Sequence, residues 1–173
     1  KSAKDIKKFL ASVAQKQSDE HISWLHDYAI IRLYREFENL MLLALVGAIN
    51  NDTTTLQNTL GIPFPKHLTD EVCKYMIIGT RYFDFKGRDG LIKKIKTFVP
   101  DTHYLVQVVK DNKYRPALDQ ISVLRNFAAH DSHVSKQAVL KALTLQRISS
   151  SGAWLKRSDR FIKLADLLIA LAA

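Results

Sequence analysis

Proline, glycine and cysteine are all scarce in this chain. Its 173 residues include four prolines, six glycines and a single cysteine, Cys73. Folds built from many short strands need frequent turn residues, so this scarcity favours helices. An intrachain disulfide is excluded because Cys73 has no second cysteine to pair with. Its apolar neighbours predict a buried thiol, and we expect a reducing, cytoplasmic environment.

Long apolar runs are missing as well. The longest candidate, Leu40 to Ile49, has about half of the ~18 residues that a membrane span requires. The amino-terminal residues also lack the pattern of a secretory signal. We therefore expect no membrane association and no signal segment. Because the first residue is Lys1 rather than Met, we allow for residues missing from a longer natural protein.

Acidic residues are fewer than basic ones. The chain has 17 Asp and Glu against 26 Lys and Arg, for a formal net charge of +9. Clustered Lys and Arg gain affinity for polyanions by displacing counterions from phosphates, so the charge indicates a nucleic-acid partner. Solubility alone is the alternative explanation, because net charge does not show where the charges lie.

Apolar residues recur three and four positions apart along most of the sequence, which predicts amphipathic helices. A hydrophobic content of 47% in a chain of this length supports one well-buried core. We therefore predict an all-α fold that forms a single domain over residues 1–173. The predicted helices are Lys4 to Gln15, Glu20 to Asn50, Asp70 to Thr80, Leu91 to Val99, a short helix capped by Asp101 and ending at Val109, one from Asp111 or Asn112 to about His130, Lys136 to Ile148, and a terminal helix from Ser158 or Asp159.

Local features refine these boundaries. In the longest helix, large apolar side chains are expected to share one buried stripe: Trp24, Tyr28, Ile31, Phe37, Leu40 and Leu43. The segments from Asn50 to Leu60 and from Ser149 to Gly152 are expected to be loops, and Gly87 to Gly90 is expected to break the helical pattern. Thr69 and Ser135 are the predicted N-caps of the helices that follow them.

One segment near the end of a predicted helix concentrates side chains suited to RNA cleavage: Arg125, Asn126 and His130. Histidine exchanges a proton with the ribose 2′-hydroxyl or the leaving oxygen at neutral pH. Arginine binds the phosphate and stabilises the charge that develops during attack. Asparagine orients either partner by hydrogen bonding. Such a site cleaves only RNA, because the nucleophile is the 2′-hydroxyl of the substrate itself.

Helical geometry does not by itself bring the three side chains together. Asn126 and His130 are four residues apart and share a helix face, whereas Arg125 lies about 140° away from His130. Arg125 therefore needs its long side chain, or a helix that ends before His130, to reach the same place. Each residue also has a structural alternative: an ion pair for Arg125, backbone hydrogen bonds for Asn126, and a helix carboxyl cap for His130.

The spacing of Arg125, Asn126 and His130 resembles the Arg-x4-6-His signature of the HEPN superfamily, in which a polar residue, often Asn, follows the arginine. Upstream residues on the long helix resemble the aromatic-acidic stretch of a subgroup often called RiboL-PSP-HEPN: Phe37, Glu38 and Leu40. The resemblance implies a HEPN-like bundle of four or more core helices with additional short helices. It also implies a homodimer, in which motifs from two protomers form one composite cleft.

The resemblance further implies a metal-independent, cofactor-free endoribonuclease of a toxin-antitoxin or phage-defence system. Its partners are then RNA, a second copy of the chain, and an antitoxin or neighbouring regulatory protein. Carried over, Arg125 binds and stabilises the scissile phosphate, His130 transfers protons and Asn126 positions them. The alternatives are a non-catalytic HEPN module that binds RNA or a partner protein, and a structural helical fragment of a larger protein.

Residues around the motif are weaker candidates. His133, Lys113 and Arg115 are possible RNA contacts because they are basic or polar and flank the same helical region. His130, Asp131 and His133 also invite comparison with a metal site. However, two histidines at this spacing are weak evidence and no further ligand pair has suitable spacing, so we predict no metal.

Two other basic segments leave alternatives open. The first combines Arg81, Lys86 and Arg88 with Tyr82, Phe83 and Phe85. It is either a basic-aromatic RNA surface or, as we prefer, a hydrophobic anchor for the preceding helix. The second comprises Lys93, Lys94 and Lys96. It either guides RNA or is a solvated helix side.

Overall fold

The computed structural model describes residues 1–13 and 17–173, and over these residues it contains α-helices and no strand. The prediction of an all-α helical bundle is confirmed. In chain order the helices are α1 Ser2–Val13, α2 Asp19–Asn51, α3 Thr54–Leu60, α4 Asp70–Ile78, α5 Gly87–Lys96, α6 Tyr104–Lys110, α7 Arg115–His130, α8 His133–Ala142, α9 Ser151–Leu155 and α10 Arg160–Leu171. A 3-10 turn at Asn112–Tyr114 precedes α7. Among the described helices, none is long and apolar enough to cross a membrane.

The chain divides into two compact units. The first comprises residues 1–37 and 116–173, and the second comprises residues 38–115. Helix α2 begins in the first unit and ends in the second, while nearly all of α7 belongs to the first. The single domain over residues 1–173 stays a prediction. The predicted end of the first helix, Gln15, lies outside the described residues.

The core of the first unit is formed by apolar stripes on α7, α10 and the amino-terminal part of α2. The buried side chains are Leu118, Ile121, Leu124 and Phe127 on α7, Phe161, Leu164, Ala165 and Leu168 on α10, and Ile30, Leu33, Tyr34 and Phe37 on α2. Their three- and four-residue spacing is that of one helix face in each case. The buried residues Leu124 and Phe127 therefore flank Arg125 and Asn126 in the chain.

The buried face of α2 differs from the predicted one. Four of the six side chains assigned to it are exposed: Trp24, Tyr28, Leu40 and Leu43. Phe37 is buried as predicted, but Ile30 and Leu45 on other turns are fully enclosed. The prediction was wrong because α2 carries apolar residues on several faces. The spacing of its largest side chains alone does not identify the face that packs.

In the second unit, α5 and α6 pack against each other. Arg88, near the start of α5, is buried with 7% of its surface exposed. Its Nε donates to the carbonyl oxygen of Val109 at 2.9 Å, and its Nη2 donates to that of Lys110. Carbonyls in the last turn of a helix lack intrahelical donors, so Arg88 caps α6 from a neighbouring helix. Arg88 is therefore not a surface cation of a basic-aromatic RNA site.

The aromatic residues before α5 are mainly buried. Phe83 and Phe85 are enclosed, and only Tyr82, with 92% of its surface exposed, faces solvent. The ammonium of Lys94 lies 4.3 Å from the ring centroid of Phe83 and donates to the carbonyl oxygen of Asp84 at 3.0 Å. Burial lowers the pKa of Lys94. This arrangement favours the hydrophobic anchor over the RNA surface and binds Lys94 within its own unit.

The polar segment from Asn50 to Leu60 contains helix α3, so the expected loop is wrong over Thr54–Leu60. Oδ1 of Asp52 accepts a hydrogen bond from the backbone N–H of Thr54 at 2.9 Å. Leu56 is buried with 2% of its surface exposed. Local capping and the burial of one leucine thus outweigh the low helix propensity of consecutive threonines. Gly61, with φ of 68°, ends the helix.

Of three predicted N-caps, one is confirmed and two are wrong. Thr69 is the N-cap of α4 as predicted, and its side chain accepts from the N–H of Val72 at 3.3 Å. The N-cap of α8 is Ser132 rather than Ser135, because the two serines form a reciprocal capping box. The N-cap of α6 is His103. Asp101, the predicted cap, instead pairs with Lys110 at 2.7 Å.

Three further boundaries were wrong. Gly87 begins α5 and Gly90 lies inside it, so the expected break is confined to Gly87 itself, which has φ of 61°. The expected loop from Ser149 to Gly152 ends early, because the side chain of Ser150 accepts from the N–H of Ala153 at 3.0 Å and starts α9. Helix α8 stops at Ala142 rather than Ile148.

Candidate functional site

The candidate motif lies where α7 ends and the chain turns into α8. The turn consists of Asp131, whose φ of 36° is in the left-handed region, and Ser132, which caps α8. His130 is therefore the last residue of α7 and His133 is the first residue of α8. Both histidines are exposed. The turn presents two imidazole rings to solvent within a short stretch of chain.

Arg125 is half-buried and held by two neighbours. Its Nη1 donates to Oδ1 of Asn126 at 2.7 Å, and its guanidinium carbon lies 4.7 Å from the ring centroid of Tyr34 on α2. Tyr34 is almost fully enclosed, so the ring is a fixed platform for the cation. Among the described residues, no Asp or Glu forms an ion pair with Arg125. Its positive charge is positioned but not neutralised.

The structure brings Arg125 and Asn126 into contact and does not join His130 to them. The His130 side chain makes no hydrogen bond, ion pair or ring contact with any residue in the described ranges. This agrees with the helical geometry, which separates the faces of Arg125 and His130. Any joint action of the two side chains needs either the free rotation of exposed His130 or a second protomer.

The weaker RNA-binding candidates occupy different places. His133 is exposed at the amino-terminal end of α8. Lys113 is exposed, and its ammonium lies 5.2 Å from the ring centroid of Tyr114. Arg115 is the first residue of α7, whereas His130 is the last. Lys113 and Arg115 belong to the second unit, whereas the motif belongs to the first.

Helix α9 fixes the part of α7 that precedes the motif. The hydroxyl of Ser151, which is fully buried, donates to the carbonyl oxygen of Leu124 at 2.7 Å. The N–H of the next residue, Gly152, donates to Oδ1 of Asp27 on α2 at 2.6 Å. The backbone next to Arg125 is therefore tied, through α9, to the helix that carries Tyr34.

A cleft of about 390 Å³ lies beside the motif in the first unit. It is lined by parts of α2, the end of α7 and the start of α9, and its acidic members are Glu20, Asp27 and Asp131. Burial raises the pKa of the Asp27 carboxyl, against the opposing effect of the hydrogen bonds from Gly152 and Ser150. Three carboxyl groups make this cleft unfavourable for a phosphate.

Several of these residues were missed in the sequence. Tyr34, Asp27 and Gly152 lie far from the motif in the chain, and no local spacing links them to it. The only local signal was at Gly152, a glycine placed within a serine-rich segment. The described residues contain no group of three or more His, Cys, Asp or Glu side chains arranged to hold a metal ion.

Comparison of the chain with protein-family models, with curated proteins and with solved structures found no match. The HEPN assignment, its subgroup and the roles of Arg125, Asn126 and His130 therefore stay predictions based on the motif and its chemistry.

Proposed function

We propose that this protein is a metal-independent endoribonuclease of the HEPN type that works as a homodimer, as an effector of a toxin-antitoxin or phage-defence system. The observation that carries the proposal is that Arg125 is held in position while its charge stays unpaired among the described residues. An arginine held by Tyr34 and Asn126, without a carboxylate partner among the described residues, keeps its charge for an anionic ligand. A phosphate diester fits the forked donors of its guanidinium.

In the proposed reaction the ribose 2′-oxygen attacks the adjacent phosphorus and the bond from phosphorus to the 5′-oxygen breaks. The products are a 2′,3′-cyclic phosphate and a free 5′-hydroxyl. One proton leaves the 2′-oxygen and another reaches the 5′-oxygen, and His130 is the group that transfers a proton. Arg125 stabilises the charge on the phosphate oxygens, and Asn126 holds the Arg125 side chain in place.

A second protomer completes this site. Proton removal and proton delivery occur at opposite sides of the phosphorus, and one protomer supplies a single His130. Because His130 is exposed at the α7–α8 turn and is not joined to Arg125, a facing copy of the turn provides the second imidazole. An antitoxin or neighbouring regulatory protein then controls the dimer by covering this turn.

The test uses purified protein with structured and unstructured RNA in the presence of a chelator. Wild type is compared with Arg125→Ala and His130→Ala, and His67→Ala is the control because it removes an exposed imidazole that belongs to the second unit and not to the motif. We expect each motif variant to lose cleavage by at least about 100-fold. The control is expected to stay within a few fold of wild type.

The outcomes separate the hypotheses. If wild type and both motif variants leave every RNA equally intact, the nuclease proposal is wrong for those substrates. Retained RNA binding without cleavage would favour the non-catalytic module. Replacing the ribose of the cleaved nucleotide with deoxyribose must abolish cleavage at that position, since it removes the nucleophile. Analytical ultracentrifugation checks the dimer, and a strict monomer with full activity would contradict the composite site.

A further inference from the structure

Three arginines surround one pocket of the first unit. Arg147 precedes α9, Arg157 follows it, and Arg160 begins α10, and all three line a cavity of about 460 Å³. Within the described ranges of the chain, no acidic residue lines this cavity. The volume falls within the range of about 300–1,000 Å³ that is typical of small-ligand sites, so it exceeds what a single ion needs.

No ion pair among the described residues neutralises the arginines that line the pocket. Arg147 and Arg157 are exposed, and neither pairs with a carboxylate among the described residues. Arg157 contributes only slightly to the lowered pKa of Asp19, which is due mainly to the hydrogen bond from Lys156. Asp159, next to Arg160 in the chain, does not line the pocket.

Arg160 is fixed in the pocket wall. Its guanidinium carbon lies 4.5 Å from the ring centroid of Trp154, and its Nη1 donates to the carbonyl oxygen of Trp154 at 3.1 Å. A cation already held on an aromatic ring loses little conformational entropy when it binds a ligand. The remaining guanidinium N–H groups of Arg160 supply donors suited to phosphate oxygens.

The turn between Arg157 and Arg160 has an uncommon backbone. Ser158 and Asp159 have φ of 55° and 56°, in the left-handed region that non-glycine residues rarely adopt. Each such residue costs of order 1 kcal/mol, and the conformation persists only where the surrounding structure imposes it. Here it joins α9 to α10 so that arginines at both ends of the turn line the same cavity.

The arginine pocket adjoins the cleft beside the motif, because Ser149 and Ala153 line both. The cleft is acidic, whereas the pocket is basic. A polyanionic strand that leaves Arg125 is therefore repelled by the carboxylates of the cleft and attracted by the arginines next to it. Charge complementarity selects a chain of phosphates as the occupant.

We infer that this pocket, formed by Arg147, Arg157 and Arg160, is a second phosphate-binding site that holds the RNA strand outside the position of cleavage. The inference rests on the proposed function for the identity of the ligand. It concerns binding and not chemistry, since the pocket lining contains no acid-base pair. Removing the pocket arginines lowers the affinity for RNA and leaves Arg125 and His130 in place.

The experiment measures binding separately from cleavage. The parent protein is the Arg125→Ala/His130→Ala double variant, which cannot cut the proposed way, and the probe is a fluorescein-labelled single-stranded RNA followed by anisotropy over a range of salt concentrations. Arg147→Gln/Arg157→Gln is introduced into this parent. The matched control is Lys4→Gln/Lys8→Gln, which removes the same two charges from exposed positions of α1.

We expect the arginine variant to bind about tenfold more weakly, with a salt slope smaller by about 1.4, since each lost phosphate contact on a single strand changes the slope by about 0.7. The lysine control is expected to stay within about twofold of the parent. Single-stranded DNA of the same sequence should lose affinity by the same factor, because the pocket binds phosphates. Free phosphate should compete only at millimolar concentration.

Equal affinity and slope for parent and arginine variant would overturn the inference, even if wild type cleaves RNA. Equal losses in the arginine and lysine variants would also overturn it, since they would reflect net charge alone. Absence of RNA binding by both the parent and wild type overturns it as well. Specific loss of binding in the arginine variant, together with a wild-type protein that never cleaves RNA, supports the pocket and contradicts the proposed nuclease.

Discussion

The backbone N–H of Gly152 donates a hydrogen bond of 2.6 Å to Oδ1 of Asp27. This contact is possible because α9 approaches the backbone of α2 more closely than any side chain allows. A Cβ atom placed on Gly152 would lie 1.8 Å from the carbonyl oxygen of Ser23 and 2.9 Å from the backbone nitrogen of Asp27. The glycine is therefore required by packing.

Gly152→Ala should destabilise the protein by about 1–3 kcal/mol or more, since the clash is with backbone and cannot be relieved by rotating a side chain. Gly47→Ala is the matched control: it lies inside α2, and a Cβ there meets nothing within 4 Å. Removing a helical glycine at Gly47 should stabilise by about 0.5–1 kcal/mol. Urea unfolding measures both, and equal behaviour of the two alanines would contradict the close approach.

Asp27 should make stability fall as pH rises. Burial raises the pKa of its carboxyl above the ordinary value of 3.8, so the folded state binds the proton more tightly than the unfolded chain. The stabilisation is complete below pH 3.8 and is lost as pH rises through the folded pKa. Asp27→Asn keeps an oxygen acceptor for the Gly152 N–H and lacks this titration.

The measurement is the difference in unfolding free energy between wild type and Asp27→Asn, taken from about pH 3 to about pH 7. Carboxylates with lowered pKa values, such as Asp19 and Asp101, produce the opposite slope. Their effect is common to both proteins and cancels in the difference. We expect the difference to shift in favour of the Asn variant as pH rises. A flat or opposite trend would show that Asp27 is not desolvated.

Local and periodic features of the fold were predictable from sequence. The N-cap at Thr69 needs only a hydroxyl three residues before a free N–H, and the buried side of α7 follows from apolar residues three and four apart. Cys73 is buried as its neighbours indicated. Such patterns involve residues that are close together in the chain, so they can be recognised from the sequence alone.

Features that depend on distant partners were not predictable. Asp27 and Gly152 are separated by 125 positions, and no local rule pairs them. Helix α2 is apolar on several faces, so its buried side was decided by neighbours that the sequence does not reveal. At the candidate site, the contact of Arg125 with Asn126 joins adjacent residues, whereas the Tyr34 platform lies on another helix. The arginine pocket was missed because Arg147, Arg157 and Arg160, although close in the chain, line one cavity only through the course of α9 and the left-handed turn that follows it.

Arg88 should contribute to stability and not to RNA binding. Its buried guanidinium supplies donors to two carbonyls at the end of α6. Arg88→Met keeps most of the aliphatic volume and removes those donors, so it should destabilise by about 2–4 kcal/mol. Arg81→Met, at an exposed position, should stay within about 0.5 kcal/mol of wild type. Thermal melts of the two variants provide the comparison, and a neutral Arg88→Met would contradict the helix-capping role.

A single substitution next to Arg125 can neutralise its charge. Asn126 accepts a hydrogen bond from Nη1 of Arg125 at 2.7 Å, so Asn126→Asp places a carboxylate directly on the guanidinium. The resulting ion pair keeps Arg125 in position. It also neutralises the positive charge with which Arg125 binds the phosphate in the proposed function. Asn126→Ala removes the positioning contact and leaves the charge intact.

If Arg125 binds the scissile phosphate, Asn126→Asp should lower the RNA cleavage rate by about tenfold or more relative to Asn126→Ala, while thermal stability changes by about 1 kcal/mol or less. The affinity for uncleaved RNA should likewise be lower for Asn126→Asp than for Asn126→Ala. A purely structural role of Arg125 predicts the reverse, because the aspartate strengthens the contact that the alanine removes. The ranking of the two variants in cleavage and in melting therefore separates a phosphate-binding arginine from a structural one.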